Sequence, residues 1–163
     1  MLLYPLMKKL KLILLFQLVT FGVYAQKIEV VKFGRLQQII ESKEEKIQVI
    51  NFWATWCAPC VKELPYFETL NARGDKDIKV SLISLDFADK LDRVNSFVER
   101  KQMKADVLLL DEIDYNSWID RVEKSWSGAI PATLIINTST GKRKFIEGEL
   151  EEGDLEKLIA QIR

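Results

Sequence analysis

Ile47-Gln48-Val49-Ile50-Asn51-Phe52-Trp53-Ala54-Thr55-Trp56-Cys57-Ala58-Pro59-Cys60 is a largely apolar run that ends at the only two cysteines of the chain. An apolar run with little alternation predicts a strand covered on both faces, here from Ile47 to Trp53. Beyond Cys60 the period changes, and Leu64, Phe67 and Leu70 recur at helical spacing up to Gly74-Asp75. The cysteines therefore stand at a strand-to-helix junction. Two thiols placed there form a unit that can store and release two electrons. At a helix start the unpaired N–H groups and the positive end of the dipole favour a thiolate, which makes Cys57 the attacking, accessible sulfur. Cys60, one turn further in, is more enclosed and attacks the mixed disulfide from within. Pro59 suits the first turn, which does not need its missing N–H. Pro65 sits deeper, where its ring meets the Val61 carbonyl, and a kink is expected.

Other uses of two cysteines fit less well. In the chain-entropy model a disulfide across so short a loop stabilises by only about 2 kcal/mol, against about 3 kcal/mol for a fifteen-residue loop. Zinc needs four ligands, and the chain has no histidine and no second cysteine pair. Cu(I) would lack its usual third ligand, with no histidine and few methionines. No metal is expected, and no cofactor beyond the cysteine pair itself. A Cu(I) carrier, or a holdase using the groove beside Trp56, remains as a non-enzymatic alternative.

Outward from the cysteines, strands and helices alternate. Ile28 to Lys32 reads as a strand, followed by a short helical face of Leu36, Ile39 and Ile40. Ile78 to Leu85 is a second buried strand. Asp89 with Asp92 resembles a capping pair ahead of the stripe Leu91, Val94 and Val98. Val107 to Leu110 is a short strand. Tyr115, Trp118, Ile119 and Val122 fit one helical face; the stripe reads as core packing, with Trp126 or its loop lining a substrate groove as the competing role. Ala132 to Ile136 and Arg143 to Glu147 flank the turn Thr138-Ser139-Thr140-Gly141, a hairpin signal. Asp154 is expected to cap a final helix carrying Leu155, Leu158, Ile159 and Ile162. Alternation early and a hairpin late predict an α/β fold, a central mixed sheet with helices on both faces.

At 163 residues the chain fits one domain with a real apolar core. Residues 1–25 read as a secretory signal peptide: Lys8, Lys9 and Lys11, an apolar stretch from Leu12 to Ala25, and small residues at its exit. The stretch falls short of the about 20 apolar residues that cross a bilayer, so cleavage is favoured over a membrane anchor. The domain is then residues 26–163, outside the cytoplasm. Losing three lysines and no acids moves the formal net charge from zero to minus three. The absence of a basic bias argues against nucleic acid as a partner.

Two segments, Val49 to Cys60 and Gly128-Ala129-Ile130-Pro131-Ala132-Thr133, resemble the thioredoxin fold, and within it the exported TlpA/ResA branch of thiol–disulfide oxidoreductases. The resemblance runs from about Ile28 to Ile162. It implies a thioredoxin-like fold in which Pro131 is cis and lies against the two sulfurs, with Ile130 offering its backbone to an extended substrate. The chain departs from cytoplasmic thioredoxins at Asn51, where those have a buried aspartate. Proteins of the ResA kind instead carry a glutamate three residues after the second cysteine, and Glu63 holds that position, one helical turn beyond Cys60. It is expected to take the proton of Cys60; the plain alternative is a surface glutamate. Ala58-Pro59 puts no charge between the cysteines, which favours a reductase over an oxidase or isomerase. The resemblance further implies a membrane thiol carrier as electron donor. Exported proteins bearing disulfides are the implied substrates, apocytochrome c in cytochrome c maturation among them. The chain is expected to act as a monomer.

Overall fold

A computed structural model describes residues 27–163, so the signal peptide read at residues 1–25 lies outside the described residues. In chain order the elements are β1 (Glu29–Val31), α1 (Phe33–Glu41), β2 (Ile47–Trp53), α2 (Ala58–Ala72), β3 (Ile78–Ser84), α3 (Leu91–Lys101), β4 (Asp106–Leu110), α4 (Ile119–Val122), β5 (Ala132–Asn137), β6 (Arg143–Glu147) and α5 (Asp154–Ile162). The strands form one six-stranded sheet in the order β1-β4-β3-β2-β5-β6. β1, β4, β3 and β2 run parallel; β5 runs against them, and β6 runs against β5. This is the mixed sheet of a thioredoxin-like fold, with an antiparallel hairpin closing one edge.

Alternation along β2 divides the core. Ile47, Val49 and Trp53 face a cluster built from Leu64, Phe67 and Leu70 of α2, Val94, Phe97 and Val98 of α3, and Leu155, Ile159 and Ile162 of α5. Ile50 and Phe52 face the other way, onto Phe33 and Leu36 of α1, Val122 of α4, and two tryptophans, Trp118 and Trp126. No residue of β2 is exposed. A strand buried on both faces must be apolar on both, which is why its sequence hardly alternates. Among the described residues no helix is long and apolar enough to cross a membrane.

Local details differ from the sequence reading. β3 ends at Ser84, one residue short of the expected strand, with the Leu85 N–H making the last bond to β2, to the Trp53 carbonyl at 2.8 Å. The stripe at Tyr115 to Val122 is not one helix. A 3-10 turn over Tyr115–Ser117 and the single turn of α4 are separated by Trp118 at φ −134°, whose indole is pulled into the core and donates to the Glu112 carbonyl at 3.3 Å. Asp89 and Asp92 do not cap α3. Lys90 stands at its N-cap without a side-chain capping bond, and its ammonium pairs with the Asp89 carboxylate. Asp154 is the first residue of α5 rather than its cap. Gly153 takes the cap position at φ +85°, where a residue without Cβ is favoured, and Asp154 reaches back to accept the Glu151 N–H at 3.0 Å. α2 continues through Pro65 to Ala72, with the proline on its exposed side.

Phe52 lies at the centre of the second cluster, 4.5 Å from the Trp126 ring and 6.3 Å from that of Trp118. Phe52→Ala is expected to lower unfolding free energy by about 3–5 kcal/mol, read as a reduced urea midpoint at unchanged slope.

Candidate functional site

β2 carries the chain to Trp53, and a turn from Ala54 to Cys57 is closed by the Cys57 N–H on the Ala54 carbonyl at 3.1 Å. Cys57 is the N-cap of α2. Its Sγ accepts the Cys60 N–H at 3.3 Å, and its carbonyl accepts the Val61 N–H at 3.0 Å. A helix N-terminus leaves its first donors without partners inside the helix. Here a sulfur meets one of them, and Pro59 removes another. The two cysteines form a disulfide. Cys60 is wholly buried, whereas 6% of Cys57 remains exposed. Cys57 is thus more enclosed than the expected accessible sulfur, because the Ile130 carbonyl stands over it, 3.8 Å from its Sγ. Cys57 is nonetheless the less buried of the two.

The loop before Cys57 is held by a residue that the sequence reading passed over. Asp86, 2% exposed, accepts the Thr55 N–H at 2.8 Å, the Thr55 hydroxyl at 2.6 Å and the Ser84 hydroxyl at 2.9 Å. It ties the exit of β3 to the exit of β2. An aspartate directly after an apolar central strand was the available signal, since sites in such sheets gather at strand carboxyl ends. The next residue on the loop, Trp56, is 59% exposed beside the dithiol.

The second wall of the site comes from the segment before β5. The Ile130–Pro131 peptide bond is cis. In the β2–β5 register Phe52 pairs with Ala132 and Asn51 with Thr133, so Pro131 falls just past the last pair, at the level of the cysteine loop. Trp126 packs this segment down from below. Its ring lies between Phe52 and Phe145, and its Nε1 donates to the Ala129 carbonyl at 2.8 Å. At 4% exposure Trp126 belongs to the core and lines no groove. Ser127 fastens the same loop to β6, its N–H and hydroxyl both donating to the Glu147 carboxylate.

Glu63 is not a surface residue. It is fully buried, on the inner side of α2. Its Oε1 accepts from Asn51 Nδ2 at 2.7 Å and its Oε2 from the Leu150 N–H at 2.7 Å. Asn51 Nδ2 also lies 3.1 Å from the Thr133 hydroxyl. Burial pushes the Glu63 carboxyl up to about 7; the Leu150 and Asn51 donors pull it down, and nearby Glu149 adds a further push upward. Desolvation prevails over both hydrogen bonds. Among the described residues no group of three or more His, Cys, Asp or Glu side chains is placed to hold a metal ion.

Residues 34–152 match the redoxin family model. The chain is 32% identical over 114 residues to thiol-disulfide oxidoreductase ResA of Bacillus thuringiensis subsp. konkukian, covering 69% of this chain and 61% of that protein. It thus spans about three fifths of the length of this curated relative. Among solved structures, a thioredoxin-related protein from Neisseria meningitidis serogroup B superposes with a TM-score of 0.64 at 23% identity, covering 75% of this chain and 88% of that one. A secreted disulfide oxidoreductase from Mycobacterium tuberculosis superposes with a TM-score of 0.55 at 21% identity, covering 72% and 82%. Both share the fold.

The raised Glu63 pKa makes stability depend on pH. Between the ordinary value of 4.5 and the folded value of about 7, the native chain holds a proton that the unfolded chain has lost. The stabilisation is therefore complete at or below pH 4.5 and is lost as pH rises through about 7. Urea unfolding of the oxidised protein is expected to show a fall of about 3 kcal/mol across that window, absent in Glu63→Gln.

Proposed function

The chain belongs to the redoxin family, and on that footing we propose that it is a thiol–disulfide oxidoreductase that reduces the disulfides of exported proteins. The observation that carries this reading is the cysteine pair at the start of α2, with the Cys60 N–H aimed at Cys57 Sγ. In the reduced protein that donor and the helix dipole stabilise a Cys57 thiolate. The thiolate attacks one sulfur of a substrate disulfide, and the other substrate sulfur leaves as a thiolate and takes a proton from solvent. Cys60, losing its proton, then attacks Cys57 Sγ. The Cys57–Cys60 disulfide forms, and the second substrate sulfur leaves and is protonated. Two electrons and two protons pass to the substrate, and the cysteine pair is oxidised.

Glu63 is the base for Cys60 in this scheme. It lies one helical turn further along α2, and a carboxyl near 7 is matched to taking up a thiol proton at neutral pH. The Ile130 carbonyl lies 3.8 Å from Cys57 Sγ with the cis Pro131 next in the chain, and an extended substrate segment can pair there with the Ile130 backbone. Trp56, directly before Cys57 in the chain, supplies an exposed apolar surface for the substrate. No further cofactor is required, because the sulfurs hold both electrons. Re-reduction falls to a membrane thiol carrier. The charged and apolar character of residues 8–25 supports export, and the Mycobacterium tuberculosis structural relative is described as secreted. Apocytochrome c cysteines are among the fitting substrates, and the chain works as a monomer.

In cells, Cys60→Ala is expected to accumulate mixed disulfides on Cys57, identified by mass spectrometry; no adducts above those of a Cys57→Ala/Cys60→Ala control would remove the reading. The midpoint potential should lie near the about −270 mV of thioredoxin, whereas a value near −120 mV would make the protein an oxidant. Glu63→Gln should slow resolution of the mixed disulfide by about a hundredfold and remove the rise in rate as pH passes 7. An unchanged pH profile rejects Glu63 as the base.

A further inference from the structure

Among the described residues, five large hydrophobic side chains are exposed: Val30, Trp56, Phe87, Ile113 and Tyr115. Four of them follow the carboxyl ends of three neighbouring strands. Trp56 comes after β2, Phe87 after β3, and Ile113 and Tyr115 after β4. These strands are parallel, so all four side chains emerge at the sheet edge that bears Cys57. The Asp86–Thr55 hydrogen bonds join the first two loops, and Trp56 and Phe87 are the next residues along the chain from that bonded pair. Phe87, Ile113 and Tyr115 line one shallow cleft with Leu85 and Leu110. Neighbouring strands lie about 4.8 Å apart, so the cleft is reached from Cys57 within a few residues of extended chain.

Nothing inside the molecule requires this exposure. Phe87 is 60% exposed and Ile113 75% exposed. A contiguous apolar patch on a soluble surface marks contact with another molecule. The surrounding charge says which kind. Asp111, Glu112 and Asp114 bracket Ile113, and no lysine or arginine occurs from Ala105 to Asp120. Asp111 is paired with Lys32, but Asp114 makes no ion pair among the described residues. The surface also stands apart from the Ile130–Pro131 wall, because β5 lies on the opposite side of β2 from β3 and β4.

We propose that Trp56, Phe87, Ile113 and Tyr115 form a second docking surface, which takes an extended apolar and basic segment flanking the cysteine of the protein substrate. The proposal rests on the oxidoreductase reading for its substrate, but its binding can be measured without turnover. A substrate held on both sides of the dithiol presents its disulfide in one orientation, and the acidic rim selects lysine or arginine a few residues from the attacked cysteine.

The test uses the full chain and two peptides, each activated at a single cysteine as the nitrothiobenzoate mixed disulfide. One carries Leu, Phe and Lys within four residues on either side of the cysteine; the other has Glu in place of Lys. DTNB, which lacks a peptide, is the internal reference. The reduced wild type should prefer the Lys peptide. Ile113→Ser should raise its KM about fivefold relative to DTNB, and Asp114→Lys should narrow the preference over the Glu peptide. The proposal is overturned if the two peptides react alike, or if Ile113→Ser shifts the peptide and DTNB equally. Should the reduced wild type release no nitrothiobenzoate even from DTNB, the oxidoreductase reading fails. Fluorescence anisotropy of a labelled Lys peptide, with Ser for its cysteine, on the oxidised chain then decides the surface: tighter binding to wild type than to Ile113→Ser upholds it, and equal binding rejects it.

Discussion

The arrangement of the whole site depends on the confinement of β2. This strand is hydrogen-bonded to β3 on one side and β5 on the other, and both of its faces are covered. Displacing it by one residue would turn Ile50 and Phe52 into the space of Asn51 and Trp53 and break two ladders at once. The turn after Trp53 therefore starts from a fixed point, and Cys57 meets the N-terminus of α2 without a search. The same confinement sets Asn51 beneath α2, where Glu63 lies.

Two buried carboxylates then convert the scaffold into a site, and each does so by recruiting at least one donor from far along the chain. Glu63 draws in the Leu150 N–H, and Asp86 draws in Thr55 and Ser84. A carboxylate without such donors would be costly to bury, so each one specifies where the recruited backbone must lie. Asp86 keeps the cysteine loop against the end of β3. Glu63 anchors the chain after β6 while keeping its own proton affinity near neutrality. The position of one group and the protonation of the other thus arise from the same rule of satisfying buried charge.

The second face of the sheet contributes at a distance. Phe33, Phe52, Trp118, Trp126 and Phe145 form a chain of ring contacts. Through the Trp126 indole and the Ala129 carbonyl, that packing reaches the loop that lays Ile130 over Cys57. A tryptophan four residues before the site's backbone wall acts as its foundation. The aromatic cluster and the dithiol share β2 as their common support, one on each side.

Periodicity made the strands and long helices legible, because burial on one face or two imposes its pattern on the order of residues. The cysteine spacing, the helix start close to Cys57 and the hairpin around Thr138–Gly141 could likewise be read directly, since each depends on neighbours in sequence. The capping roles assigned to Asp89 and Asp154 were misread, because a carboxylate near a helix start has other local donors and takes whichever the backbone presents. The position of Asp86 after a central strand was a signal, but its partner could not be read, because Thr55 lies 31 residues away, across α2 and β3. Glu63 shows the division most sharply. Its one-turn distance from Cys60 is a property of the sequence. Its burial, its hold on a backbone amide 87 residues on and its affinity for a proton near neutral pH exist only once the sheet has closed and removed water from the carboxyl.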